Sequence, residues 1–168
     1  MVDGLVGSEM CIRDSIYPVN PRLTEVFDKP CFPELAALPE VPDHVVIGVA
    51  SRFVEIILDQ AIELGVKAAT IFASCHLDDD ENPNLPTRIT KKASAVGMSI
   101  CGANCMGFYS PTIGLRIASA VSPAGLQKGG IVWIAQSGSA FSALPNNDRR
   151  LGFTLAVSTG MELVTTCL

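Results

Sequence analysis

The stretch that decides the fold is DHVVIGVASRFVEIILDQAIELGVKAATIFAS, residues 43–74. Val45-Val46-Ile47-Gly48-Val49 is an unbroken apolar run, as expected of a strand buried on both faces of a parallel sheet. Ser51 then stands where a hydroxyl can cap a helix, and Val54, Ile57, Leu58, Ala61 and Ile62 follow at helical spacing. Gly65 closes that helix, and Ala68–Ala73 is a second buried strand. Strand, helix and strand at this interval predict a right-handed crossover.

The rhythm continues toward the C-terminus. A polar loop, residues 76–84, leads into a helix with Pro86 in its first turn and Gly97 just past its end. Met98–Cys101 is the next short strand. Leu115–Ala120 is a crossing strand, and Pro123–Gly130 reads as a linker. Ile131–Ala135 is a buried strand, with Trp133 in the core. Gln136-Ser137-Gly138-Ser139 opens a helix that runs through Leu144, and Phe153–Val157 is one more strand. Toward the N-terminus, Ile16–Val19 reads as a strand ended by Asn20-Pro21, and Pro33–Leu38 as a helical turn. The predicted fold class is α/β: a Rossmann-like domain over 16–120, a linker at 121–129, and the start of a second doubly wound domain over 130–168. Residues 1–15 carry neither helical nor strand periodicity and lack a targeting pattern; they read as a non-native segment.

In a parallel sheet the ligand lies beyond the carboxyl ends of the strands. The loops at Asn20–Arg22, Ala50–Arg52, Ser74–Leu77 and Gly102–Gly107 are therefore expected to converge. Read alone, Gly102-Ala103-Asn104-Cys105-Met106-Gly107 is a plain connection. Its glycines nonetheless permit close backbone approach, and Asn104 offers both a donor and an acceptor. Ser137, Gly138 and Ser139 form either a simple helix cap or an anion site, since free N–H groups and the helix dipole meet there. No Gly-x-Ser-x-Gly elbow or triad histidine accompanies them, which excludes a serine hydrolase. The run Asp78-Asp79-Asp80-Glu81 reads as a solvated loop, and His76 as a solvated or hydrogen-bonded histidine.

Composition narrows the function classes. The chain has 168 residues, 48% hydrophobic and 17% charged, with a net charge of -5. That balance excludes disorder and a nucleic-acid binder, which needs a basic face. Arg88/Lys91/Lys92 and Arg149/Arg150 are ascribed to helix surfaces. No apolar run reaches the ~18 residues of a membrane span. The six cysteines include no CxxC, which argues against zinc, and nothing resembles a secretion signal, which argues against a disulfide framework. The expectation is a soluble cytoplasmic protein with reduced, mostly buried thiols.

Six segments in order, YPVNP (17–21), LAALPEVPDHVVIGV (35–49), GVKAATIFAS (65–74), GANCMGFYSP (102–111), IVWIAQSGSAFSAL (131–144) and RLGFTLAVSTG (150–160), resemble the NDP-forming acyl-CoA synthetases. These are acid–CoA ligases related to the succinyl-CoA synthetase α subunit. The resemblance spans residues 16–166 and implies a Rossmann-like CoA-binding domain followed by a flavodoxin-like ligase domain. It implies that Asn20, Pro21, Ala50, Ser51 and Ser74 border CoA, and that Asn104 and Gly107 line its pantetheine path. Ser137, Gly138 and Ser139 would cradle the phosphate of a phosphohistidine. The implied substrates are a small-molecule carboxylic acid and CoA, with ATP or GTP and Mg delivered by an ATP-grasp domain or subunit.

The sequence departs from that family in several places. The opening strand and Gly-rich turn are missing before Ile16, Ala103 replaces a proline, and Pro145 should end the helix after Ser139. The phosphorylated histidine is expected beyond Leu168, so the chain reads as an internal piece with no catalytic residue of its own. The alternative is a non-catalytic CoA- or nucleotide-binding Rossmann module, for which a second anion-binding unit has no use. An NAD-dependent oxidoreductase is excluded, because Asn20-Pro21-Arg22 supplies no carboxylate for a ribose.

Overall fold

The computed structural model describes residues 16–119, 127–147 and 150–165. The segment 1–15, most of the linker and Arg149 lie outside the described residues. The chain opens with a small hairpin, β1 (Glu25–Val26) and β2 (Lys29–Pro30), then a 3-10 turn at Leu35–Ala37. The hairpin loop, Phe27-Asp28, has φ +50 and +59°, as a type I′ turn requires. Phenylalanine is a poor sequence signal for that turn, which left the hairpin unread.

The predicted strand–helix–strand units are present. β3 (His44–Ile47), β4 (Ala68–Ile71) and β5 (Ser99–Gly102) form a parallel sheet in that order. α1 (Ser51–Glu63) and α2 (Leu85–Ala95) connect them. Val54, Leu58 and Ala61 of α1 and Leu85, Ile89 and Ala93 of α2 are buried in one core with Val45, Ile47, Ala69, Ile71 and Ile100. Burying one such aliphatic side chain is worth roughly 1.5–3 kcal/mol, so the apolar stripes suffice to hold the helices on the sheet. Gly65 and Gly97 end the helices at φ +82 and +68°.

A second sheet has the order β7-β6-β9-β8. β6 (Gly107–Ser110) is antiparallel to β7 (Leu115–Ala118) and to β9 (Gly152–Ser158), while β8 (Gln127–Ala135) is parallel to β9. α3 (Gly138–Asn147) joins β8 to β9, giving the expected β-α-β unit. Residues 107–118, which sequence reading groups with the first domain, thus contribute two strands to this sheet. The two sheets meet where the Phe108 ring contacts the edge of His44, centroids 6.0 Å apart, and where Cys101 Sγ lies 3.6 Å from the Ser158 carbonyl oxygen.

Several expectations fail. The strand at Ile16–Val19 is a single bridge from Val19 to Phe32, because the segment pairs only around Phe32. Val46 is 47% exposed: β3 is an edge strand, and its second face is not covered. β8 begins at Gln127, inside the expected linker, and Val132 and Ile134 are exposed because it too is an edge strand. Trp133 is only partly buried, although it does pack on the cluster of Tyr109, Phe141 and Ala156. α3 continues through Pro145 to Asn147. A proline so near a C-terminus forfeits one backbone bond without abolishing the last turn.

Asp80 corrects the reading of the acidic run. Its carboxylate accepts from the Leu85 and Glu81 amides at 2.6 and 2.8 Å and from Arg88 at 3.0 Å, fixing the entry to α2. Arg88 also reaches Glu55, while Lys92 bridges Glu55 and Asp59, so Arg88 and Lys92 of α2 are tied to α1. The amide of Leu85, then Arg88 and Glu81, hold the Asp80 carboxyl below its ordinary 3.8. Burial pushes Glu55 up, but Lys92 and Arg88 outweigh it and hold the carboxyl below its usual 4.5. Depressed carboxylates stabilise the fold above their unfolded values, and that stability drains away as the pH falls through the folded ones. Arg88→Gln is therefore expected to lower stability at neutral pH and to flatten its loss below about pH 4. Urea unfolding from pH 7 to 2.5 checks this; parallel curves for the two proteins would refute it.

Candidate functional site at the carboxyl edge

The carboxyl ends of β3, β4 and β5 hand the chain to Ala50–Ser51, Ser74 and Gly102–Asn104. Ser51 does not cap α1. Ala50 is the cap residue, without a side-chain bond, and the Ser51 hydroxyl instead lies 3.4 Å from the exposed Ser74 hydroxyl. The Asn104 amide donates to the Ala73 carbonyl at 2.8 Å, which docks its turn beside Ser74. Asn104 has φ +53° and an exposed side chain. Ala50, Ser51, Ser74 and Asn104 are thus brought to one edge.

Asn20 makes different contacts. Its amide donates to the Phe32 carbonyl and its Oδ1 accepts from the Arg22 amide, and no described hydrogen bond joins Asn20 or Pro21 to Ser51, Ser74 or Asn104.

Close backbone approach dictates two glycines in the turn. Gly102 has φ +109°, and a Cβ there would come within 2.4 Å of the Ile71 carbonyl oxygen. At Gly107 (φ +86°) the corresponding atom is the Ile117 carbonyl oxygen. Gly107 therefore starts β6 instead of facing the loop's open side. The sequence did not single out Gly160, which follows β9 and packs on the backbone of Ala103 and Asn104. Met161 and Leu163 donate backbone hydrogen bonds to the carbonyls of Ala103 (2.8 Å) and Gly102 (3.0 Å). The segment that follows β9 of the second sheet thus buttresses the first sheet's turn.

Ser137 directly precedes α3, and its carbonyl accepts from the Phe141 amide at 2.9 Å. Ser137 and Ser139 are exposed, so the helix start is open to an anion. Met106 packs on Gly138, and its amide donates to the Ser158 hydroxyl at 3.0 Å. One side chain therefore separates the Asn104 turn from the start of α3. Next to Ser158, the Thr159 hydroxyl is buried without a protein partner. Among the described residues no cluster of metal-binding side chains occurs, and no helix is long and apolar enough to cross a membrane.

Residues 8–111 match the CoA binding domain. The chain belongs to this CoA-binding domain family. The CoA-binding domain and the strands after it are similar to the ADP-forming acetate–CoA ligase of Methanocaldococcus jannaschii, 32% identical over 148 residues. That match covers 86% of this chain and 20% of the relative. The ADP-forming acetate–CoA ligase II of Archaeoglobus fulgidus is 27% identical, covering 88% of this chain and 23% of the relative. Among solved structures, the dinucleotide forming acetyl-coenzyme A synthetase 1 of Ca. Korarchaeum cryptofilum, in complex with phosphate and ADP, superposes with a TM-score of 0.80 at 27% identity. That superposition covers 90% of this chain and 32% of that one. The chain spans about a fifth to a third of the length of these relatives. The resemblance to the acyl-CoA synthetases, and the Rossmann-like class with it, is borne out.

Proposed function

We propose that this CoA-binding domain holds CoA at the carboxyl edge of the first sheet, as part of an ADP-forming acid–CoA ligase. The observation that carries this reading is the juxtaposition of the Ser51 and Ser74 hydroxyls with the Asn104 turn, within the segment that matches the family. The hydroxyls and exposed backbone suit the polar nucleotide end of CoA. The Asn104 side chain can both donate to and accept from the amides of the pantetheine arm. Asn20 and Pro21 extend this surface in the proposal.

The open start of α3 would take the phosphate of an acyl phosphate or phosphohistidine, with Ser137 and Ser139 adding hydroxyl donors to the backbone N–H groups. Its proximity to the Asn104 turn through Met106 supports acyl transfer between phosphate and CoA thiol at the junction of the two sheets. ATP or GTP with Mg, a carboxylic acid, an ATP-grasp partner and a phosphohistidine outside this chain complete the reaction in this reading, and a cytoplasmic setting suits it. The second anion-binding unit favours a ligase over a binding module without catalytic function.

Calorimetric titration with CoA tests the proposal. Asn104→Ala should weaken CoA binding about tenfold, the value of one to two lost hydrogen bonds. Unchanged affinity in that variant, or no binding by the unaltered chain, would defeat the assignment.

A further inference from the structure

Cys101 lies in β5, and Cys105 follows on the far side of the Gly102-Ala103-Asn104 turn. The turn folds Cys105 back on the strand. Its Sγ stands 3.5 Å from the Ile71 carbonyl oxygen and 3.8 Å from that of Cys101. A Cβ on Gly102 would be 3.1 Å from the same sulfur, so the sulfur rests against the residue next to Cys101. A hydrogen bond from the Cys101 thiol holds Cys105 below its ordinary pKa, against the opposing effect of burial. Neither of the other described cysteines shares this setting. Cys75 is buried and burial pushes its thiol up to about 11, while Cys31 faces the Asn20 and Phe32 carbonyls at 3.9 Å.

We propose that Cys101 and Cys105 form an oxidisable dithiol, a reversible modification site at the base of the Asn104 turn. The oxidant is a peroxide. The first thiol gives up its proton and its thiolate attacks a peroxide oxygen; the O–O bond breaks, and the departing hydroxide takes that proton, leaving a sulfenic acid and one water. The second sulfur displaces hydroxide from the sulfenic sulfur; the hydroxide takes the second thiol's proton and leaves as water. Two thiols and one hydrogen peroxide give one disulfide and two waters. Because the sulfurs must close to about 2.05 Å, the intervening turn shifts against Ala73. Resting on the CoA reading above, closure weakens CoA binding.

The test treats the 168-residue chain with hydrogen peroxide, alkylates it, and maps its peptides. A Cys101–Cys105 cross-link that dithiothreitol reverses is expected, together with a CoA dissociation constant raised about tenfold. Cys101→Ser should show neither change under the same treatment. Both cysteines remaining alkylatable, or cross-linking to other cysteines, overturns the dithiol. A cross-link that leaves CoA affinity unchanged overturns its coupling to the turn. A reduced chain that fails to bind CoA overturns the function proposed above, and the cross-linked peptide alone then decides the dithiol.

Discussion

Gly160→Ala is expected to destabilise the fold by about 3 kcal/mol and to weaken CoA binding with it. Two costs combine at this position. Its φ of +62° disfavours any side chain, at roughly 1–2 kcal/mol. A Cβ would also fall 2.1 Å from the Ala103 carbonyl oxygen and 2.8 Å from that of Asn104. Both atoms are backbone, so relief requires separating the segment after β9 from the Asn104 turn. That separation would break the hydrogen bonds from Met161 and Leu163. Gly97→Ala supplies the comparison, because its φ is +68° and a Cβ there meets nothing within 4 Å. It should cost only about 1 kcal/mol and leave CoA titrations unchanged. Urea midpoints and calorimetry on the pair decide the matter; equal losses in both variants would mean that the close approach contributes nothing.

The second expected result is all-or-none: incubated with γ-labelled ATP or GTP, the chain takes up no acid-labile phosphate. Its two histidines are unsuited to carry it. His44 begins β3, at the amino edge of the sheet, with its Nε2 2.9 Å from the Thr70 hydroxyl and Phe108 against its ring. Burial lowers its pKa, so it is neutral at pH 7, but the fold turns it away from the edge where Ser51, Ser74 and Asn104 meet. His76 is on that edge and exposed. Its amide donates to the Ser74 hydroxyl at 3.3 Å, and its Nε2 lies 3.7 Å from Asp78. An acidic neighbour repels an incoming phosphoryl group, and no described contact links His76 to the start of α3. Label that survives base, is lost in acid and disappears in His76→Asn would overturn this assignment.

Legibility from sequence followed locality. β3, α1, β4, α2 and β5 were readable because their apolar residues recur within short windows and their glycines mark the helix ends. The convergence of Ser51, Ser74 and Asn104 followed from the same source, since a parallel sheet places successive loops on one edge. What stayed hidden depends on partners remote in the chain. Gly107–Ser110 looks like loop until β9 pairs with it, and Gly160 looks like an ordinary turn glycine until Ala103 is found against it. Asp80 had the look of one more solvated acid because its partners, Leu85 and Arg88, become visible only once α2 is built. Edge exposure was misread for a related reason: Val46 and Val132 are apolar in sequence, and only sheet order shows which strands lack a neighbour.

The pairing of β6 with β9 also imposes a timetable. The first sheet is complete in sequence at Gly102, whereas the strand that anchors Gly107–Ser110 ends only at Ser158. A two-stranded hairpin of β6 and β7 is marginal by itself. At a synthesis rate of about 5–20 residues per second, the ribosome needs roughly 2–10 s to travel from the end of β6 to the end of β9. During that interval the Asn104 turn has its Ala73 anchor but not its Gly160 buttress. On the CoA reading proposed above, the nascent chain would acquire the Ser51 and Ser74 hydroxyls first and the buttressed Asn104 turn last, so CoA encountered during translation would meet a half-built site.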